Sequence, residues 1–410
     1  MFMSIDQEIR TAGVSAAAGE FRFRDELADE LVARARAVRP LLESKAGQHE
    51  EDSELSQEVI DKLTEIGAFS MAGPSRVGGS GQSSRSMARV AAELAKGCPS
   101  TAWVYTIYNS CLWLASKLPA GIQEQMFANG IPRICSPQNG MGQLVADGDG
   151  YRLTGRWSYA TGSHHAAWTM VPALSPEQLP TLAVLPMSAV ELDHTWLVSG
   201  MRGTGSDTVV ANNARVEASM CAAFSNIMVT PPVTVDTSDL EPCDYWVNYP
   251  LLRAKALGVL VGCAEGLLEV VAGKSGGPII YSKYAHKSDS AAYHFAIGEA
   301  AAKIQAARRL VDSSCARIDA VACEERVQTV EERTEARGEG AVVISLLSYA
   351  VERLMDLGGS SGFSAGPAQR YWRDFHISTR HVIFNAQISY EQVGRHVLGI
   401  EPAILELEHL

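Results

Sequence analysis

The pattern Gly-x-Ser-x-Gly occurs twice, at Gly273 to Gly277 and at Gly358 to Gly362. It carries a serine nucleophile when a strand precedes the serine and a helix follows it. Both copies follow helical periodicity instead, so Ser275 and Ser360 read as loop residues. His164 and His165 offer imidazoles for a metal or a proton. Adjacent residues of a strand point to opposite faces and cannot close on one ion. His376 and His381 lie five positions apart, about 500° round an α-helix and so roughly 140° from each other, which keeps them out of one pocket if the helix is regular. The cysteines (Cys98, Cys111, Cys135, Cys221, Cys243, Cys263, Cys315, Cys323) are scattered, with no CxxC pair. Disulfide and zinc chemistry need closer spacing or nearby histidines, so reduced thiols in a cytoplasmic protein are expected. No GxGxxG follows a strand, and GxxxxGK[ST] and HExxH are absent, so a Rossmann site, a P-loop and a zinc-protease site have no anchor.

The elements that must position such residues change texture twice along the chain. From about residue 20 to 130 the chain reads helical: Arg22 to Leu42 and Ser56 to Ile66 carry apolar residues at helical spacing, the latter ending at Gly67. A Gly- and Ser-rich loop, Gly73 to Ser84, precedes a helix over Ser86 to Lys96, and Ser100 reads as the N-cap of an apolar helix through Leu118. From Ile131 to about Pro232, short segments such as Tyr151 to Gly155, Trp168 to Leu174 and Thr181 to Leu185 alternate with Gly, Asp, Pro and Asn, as in a small β-domain. Helical periodicity then returns over Trp246 to Gly273, Ser290 to Cys323, Val327 to Leu357 and Pro367 to Leu398. Gly258, Gly262 and Gly266 share one face of the first of these, which lets another helix approach closely. The fold class is α+β, mostly α: an N-terminal helical domain (residues 1–130), a central β-barrel or sandwich (131–235) and a C-terminal four-helix bundle (236–410).

The chain's 410 residues and 46% hydrophobic content suffice for a large core. Lys and Arg number 35 against 47 Asp and Glu, a net charge of −12. An acidic balance without a basic stripe argues against nucleic acid or an anionic membrane as main partner. No apolar run approaches the roughly 18 residues of a membrane helix, and the mixed-charge stretch at residues 1–10 lacks the centre of a signal peptide.

Four passages, in order, resemble the acyl-CoA dehydrogenase superfamily. Leu63-Thr-Glu-Ile-Gly-Ala68 followed by Pro74-Ser-Arg-Val-Gly-Gly-Ser-Gly81 looks like its N-terminal passage. Gly155-Arg-Trp-Ser-Tyr-Ala-Thr161 is similar to the strand that lies against the flavin, and Gly200-Met-Arg-Gly-Thr-Gly-Ser-Asp-Thr208 to the family's G-x-R-x-[ST]-x-[ST] loop. Within the superfamily the finer resemblance is to the flavin-dependent monooxygenases of two-component systems. It rests on Arg156-Trp-Ser-Tyr-Ala-Thr-Gly162 with His165, and on Gln369-Arg-Tyr-Trp-Arg-Asp374 with His381 seven residues later.

That resemblance implies a homotetrameric oxygenase component in which O2 and reduced, diffusible FAD or FMN form a C4a-hydroperoxide that oxygenates a small molecule. A separate NAD(P)H-dependent reductase supplies the flavin. It places Thr161 at flavin N5 with Ser136 close by, Tyr159 on the ring, and Trp372 and Arg373 toward the cofactor, with Arg373 free to pair with a flavin phosphate or with Asp374. His381 is implied as the group managing the peroxide proton, since an imidazole titrates near neutrality. Trp103, Cys111 and His376 fall in the substrate-pocket positions. Phenol hydroxylases carry a phenol-handling His where this chain has Cys111, and a thiol is smaller and a poorer donor. An amine, an amino sugar, or an aromatic needing no deprotonation there are the alternatives. The dehydrogenase reading lacks its base: Leu252 precedes Arg253 where one branch has Glu, and His381-Val382-Ile383 stands where another has it. A relocated carboxylate such as Glu265, Glu299 or Glu391 would restore that reading. A catalytically silent helical scaffold is the third.

Overall fold

The computed structural model describes residues 21–401 and 404–405; the charged stretch at residues 1–10 lies outside them. Five helices come first: α1 (Ala28–Asp52), α2 (Gln57–Glu65), α3 (Ser84–Gly97), α4 (Pro99–Ala115) and α5 (Ala120–Phe127). Gly67, with φ 76°, supplies the left-handed residue after α2. Ser83 caps α3 by accepting from the Ser86 N–H. The N-cap of α4 is Cys98, two residues before Ser100: it has the extended cap conformation and Pro99 occupies the first helical position. Proline favours that position because its fixed φ is already helical and its missing N–H would have had no partner.

The strands are β1 (Ile134–Cys135), β2 (Gly142–Asp147), β3 (Gly150–Ala160), β4 (Trp168–Leu174), β5 (Pro180–Pro186), β6 (Glu191–Asp193), β7 (Asp207–Glu217) and β8 (Cys221–Ala223). They form one sheet in the order β6-β7-β3-β2-β4-β5-β8, with β1 parallel to β4. The β3–β7 ladder slips between Leu153 and Gly155 and again between Trp157 and Ala160. Such bulges bend a strand and redirect its side chains.

After the short α6 (Phe224–Met228) come α7 (Asn248–Ala272), α8 (Ala291–Cys323), α9 (Val330–Gly362), α10 (Pro367–Ser378) and α11 (Ala386–Val397). Ser290 caps α8, and Thr329 with Glu332 forms a capping box on α9. The last stretch is two helices rather than one. Ser378 ends α10, and His381 caps a short turn over Val382–Phe384 before α11. The 140° argument for His376 and His381 therefore does not apply, because His381 is off the helix. Ser275 lies in the loop after α7, whereas Ser360 is in the final turn of α9, past a break at Gly359 (φ 54°, ψ −156°). No strand precedes either serine.

The glycine face of α7 packs as expected. A Cβ on Gly258 would stand 2.3 Å from the Ala88 carbonyl oxygen, and one on Gly262 2.0 Å from that of Ala92. Contact with α3 at this separation is open only to residues without a side chain. Asp319 of α8 accepts from the Ser84 and Arg85 N–H groups (2.9 and 3.0 Å), satisfying the start of α3 from the opposite end of the sequence. Arg76 holds the buried Asp244 with two 2.7 Å bonds. No helix of the described residues is long and apolar enough to cross a membrane.

Candidate functional site

Helix α4 is the wall on which the candidate residues converge. It is buried almost throughout. The Trp103 ring lies 5.4 Å from the imidazole of His381 and 6.4 Å from Phe384. The Tyr108 hydroxyl donates to the Gly162 carbonyl at 2.6 Å, tying α4 to the turn after Thr161. The Cys111 thiol is buried, with the Ser136 backbone amide and the Lys255 amine as its electrostatic neighbours. Eight residues of helix separate Trp103 from Cys111, about 12 Å along the axis. Helix α7 reaches the same region, where Arg253 donates to the Ile383 carbonyl at 3.3 Å.

His381 is held by its own turn. The Ile383 N–H donates to His381 Nδ1 at 3.3 Å, so in the neutral ring the proton belongs on Nε2. Burial lowers its pKa to about 4. The residue is a neutral imidazole offering an N–H throughout the physiological range.

Thr161 follows the second bulge of β3. There Tyr159 takes φ 64° and is 61% exposed, whereas Thr161 is 8% exposed. The bulge throws the aromatic ring outward, edge-on to Trp196 at 5.9 Å, and turns the hydroxyl inward. Thr161 begins a chain of hydroxyls: Thr161 to Ser206 at 2.8 Å, Ser206 to Thr204 at 2.8 Å, and Thr204 donating to the Met201 carbonyl at 2.8 Å. With the Thr204 proton spent on a carbonyl, Ser206 must donate to Thr204 and Thr161 to Ser206. Thr161 is left with lone pairs to offer. The N5 of a reduced flavin carries hydrogen and that of an oxidised flavin does not, so this polarity fits the reduced ring.

Removing the link tests that assignment. Ser206→Ala is expected to weaken reduced-flavin binding about 5-fold, the equivalent of one hydrogen bond of ~1 kcal/mol. The affinity for oxidised flavin should stay within twofold, as measured by anaerobic fluorescence titration. An equal loss for both forms would refute the polarity argument.

Ser136 follows β1, donates to the Met170 carbonyl at 2.9 Å and accepts from the Gln138 amide at 2.9 Å. The loop from Gly200 to Gly205 is pinned to α10 by Asp374, which accepts from the Met201 N–H at 2.5 Å. Burial raises the Asp374 pKa to about 7. Arg373 does not pair with that carboxylate. It holds Glu50 at 2.5 Å and the Ser199 carbonyl.

Trp372 and His376 form a separate group, ring centroids 4.7 Å apart, both donating to Glu352 (2.9 and 2.6 Å), with Phe363 against Trp372. His376 is therefore engaged on the α9 side, and only His381 meets Trp103. His164 and His165 sit in a short turn rather than on a strand. His164 binds Glu54 and Asp207 (2.9 and 2.7 Å), and His165 the Leu55 carbonyl (2.6 Å). Together with His194, His164 and Asp207 have metal-compatible spacing. Asp207 already accepts from both rings and from the Thr195 and Trp196 N–H groups, which makes the cluster a hydrogen-bond hub behind Ser206. All eight cysteines are free thiols.

The three carboxylates named for the dehydrogenase reading are each accounted for elsewhere. Glu265 is bound by Arg308 (2.6 Å twice) and Lys96, Glu299 by Tyr349, and Glu391 is exposed on α11. Ser206, Trp196 and the buried Lys255 are not singled out by any motif. Ser206 lay inside the quoted Gly200 to Thr208 passage. Lys255 had a signal in being the one charge within an otherwise apolar run, Ala254 to Ala264.

Two family models match the chain: the acyl-CoA dehydrogenase N-terminal domain over residues 27–135 and the C-terminal domain over residues 252–386. The chain is 28% identical over 396 residues to the oxygenase component of an FADH2-dependent resorcinol hydroxylase from Rhizobium sp. (strain MTP-10005), covering 91% of this chain and 95% of that one. It is 25% identical to the flavin-dependent monooxygenase oxygenase subunit HsaA of Mycobacterium tuberculosis, covering 88% and 94%. The solved structure of XiaF from Streptomyces sp. in complex with FADH2 and glycerol superposes with a TM-score of 0.87 at 26% identity, covering 94% and 98%. The chain belongs to the acyl-CoA dehydrogenase superfamily. Within it, the chain is a flavin-dependent monooxygenase, an oxygenase component that works with reduced flavin.

Proposed function

We propose that this oxygenase inserts one oxygen atom of O2 into a small aromatic molecule, taking reduced FAD or FMN from a separate NAD(P)H-dependent reductase. The bound reduced flavin supplies the electrons and activates the oxygen. The protein's own residues do the rest. Thr161 presents an acceptor fixed through Ser206 and Thr204, His381 holds a proton on Nε2, and Trp103 and Phe384 exclude water around it. The single observation that carries the reading is the partly buried His381 against Trp103, its Nδ1 engaged by the Ile383 N–H. The relatives' names favour an aromatic over an amino sugar, since the resorcinol hydroxylase acts on a phenol. A cytoplasmic homotetramer, a dimer of dimers, without nucleic acid or membrane partners, belongs to the same proposal.

Anaerobic mixing with reduced FAD or FMN, followed by oxygenated buffer in a stopped-flow absorbance cell, checks it. The expected result is a transient band distinct from oxidised flavin and, with a substrate present, an oxygenated product. A tightly held oxidised flavin that an acyl-CoA thioester bleaches would overturn the proposal in favour of a dehydrogenase.

A further inference from the structure

Lys255 of α7 is completely buried, 0% exposed, and its amine has no hydrogen-bond partner among the described residues. A buried amine without a partner is strongly disfavoured, and native chains retain few. The group that acts on it electrostatically is the Cys111 thiol of α4, itself buried and held protonated because burial pushes its pKa well up. A neutral thiol gives the amine no counter-charge. Arg253, two residues earlier and about 200° round the helix, donates to the Ile383 carbonyl, so α7 packs both on α4 and on the turn that follows His381. On the facing helix, Trp103 stands two turns before Cys111 and packs on His381 and Phe384. The amine is thus enclosed where α7 packs on α4, the helix whose Trp103 meets the His381 imidazole.

We propose that Lys255 is the group that binds and deprotonates the hydroxyl of a phenolic substrate in this oxygenase. In the step, the phenol O–H bond breaks, the proton passes to Lys255 Nζ, and the oxygen keeps the electron pair as a phenolate paired with the new ammonium. No oxidant or reductant takes part. Burial lowers the amine's pKa to about 7, so a large fraction is free to take a proton at neutral pH. A phenol suits the approach better than a carboxylate. It crosses the apolar wall of Trp103 and Phe384 uncharged and ionises only beside the amine, whereas a carboxylate would have to shed its hydration on the way in. The position that lacks a histidine at Cys111 is thereby served from the opposite helix.

The proposal rests on the oxygenase reading, and the experiment separates the two. The probe is 4-nitrophenol, whose neutral and ionised forms have distinct absorbance bands, added to the full chain at a pH below its own pKa. Wild type is expected to hold it as phenolate, and Lys255→Met to hold it neutral, with the bound phenolate-to-phenol ratio falling at least ~10-fold, one pKa unit. The thermal midpoint of Lys255→Met should equal or exceed that of wild type, because an apolar side chain replaces an unpaired buried amine. Lys255→Gln serves as a second variant with the same expected spectral loss. A neutral bound probe in wild type, phenolate in both wild type and variant, or identical affinity for both proteins including none, each overturns the assignment. Flavin–oxygen transients recorded without phenol report on the oxygenase reading alone.

Discussion

His381→Ala is expected to lower coupled product formation by about 10²-fold, the usual scale of a positioned proton donor, while reduced-flavin affinity stays within twofold. The imidazole packs on Trp103 and takes its tautomer from the Ile383 N–H; neither contact belongs to the hydroxyl chain at Thr161. The oxygen consumed should then appear as hydrogen peroxide, measured beside product by chromatography. His381→Asn, which retains an N–H donor, should recover part of the coupling, and a merely structural role would show no such rescue. With a pKa near 4, His381 stays neutral above about pH 5, so it contributes no inflection to the wild-type rate between pH 5 and 8. The stability linkage has a definite sign. The folded pKa lies below the unfolded value of about 6.5, so the contribution is intact above that value and is lost as pH falls through 4. Unchanged coupling in the alanine variant would remove His381 from the chemistry.

Gly262→Ala carries the largest expected effect on stability. In an open helix position the change would be favourable by about 1 kcal/mol. Gly298 on α8, where an added Cβ meets nothing within 4 Å, supplies that control. At Gly262 the Cβ would stand 2.0 Å from the Ala92 carbonyl oxygen and 2.7 Å from its carbon. These are backbone atoms of a buried helix, so no side-chain rotation relieves the overlap and α3 must move off α7. Overpacking of this kind costs about 3 kcal/mol or more. Differential scanning fluorimetry should show a fall of several degrees in the melting midpoint or loss of soluble protein for Gly262→Ala, and a small rise for Gly298→Ala. A midpoint within a degree of wild type at Gly262 would contradict the packing described.

The passages around Thr161, Tyr159 and His381 were legible locally, because each is a short contiguous motif, whereas the contacts those residues make were not. The helices were legible because apolar spacing and caps such as Ser83, Ser290 and Thr329 act within a few residues. The break after Ser378 was not, since the periodicity runs on through it and only the His381 turn interrupts the helix. Nor were the partners of Arg373 and His376: Glu50 and Glu352 stand 323 and 24 residues away, and spacing says nothing about ion pairs across such distances.

The sequence by itself determined the order of helical, β and helical segments, the glycine face of α7 and the flavin-linked passages. All of these follow from interactions between residues close in the chain. Only the tertiary structure decided which way the Thr161 hydroxyl donates, which histidine meets Trp103, and that the amine of Lys255 is buried without a hydrogen-bond partner among the described residues. The physical reason is that hydrogen-bond polarity, burial and the absence of a partner depend on groups brought together from 45 to 278 residues apart, and no local pattern encodes what a side chain fails to find.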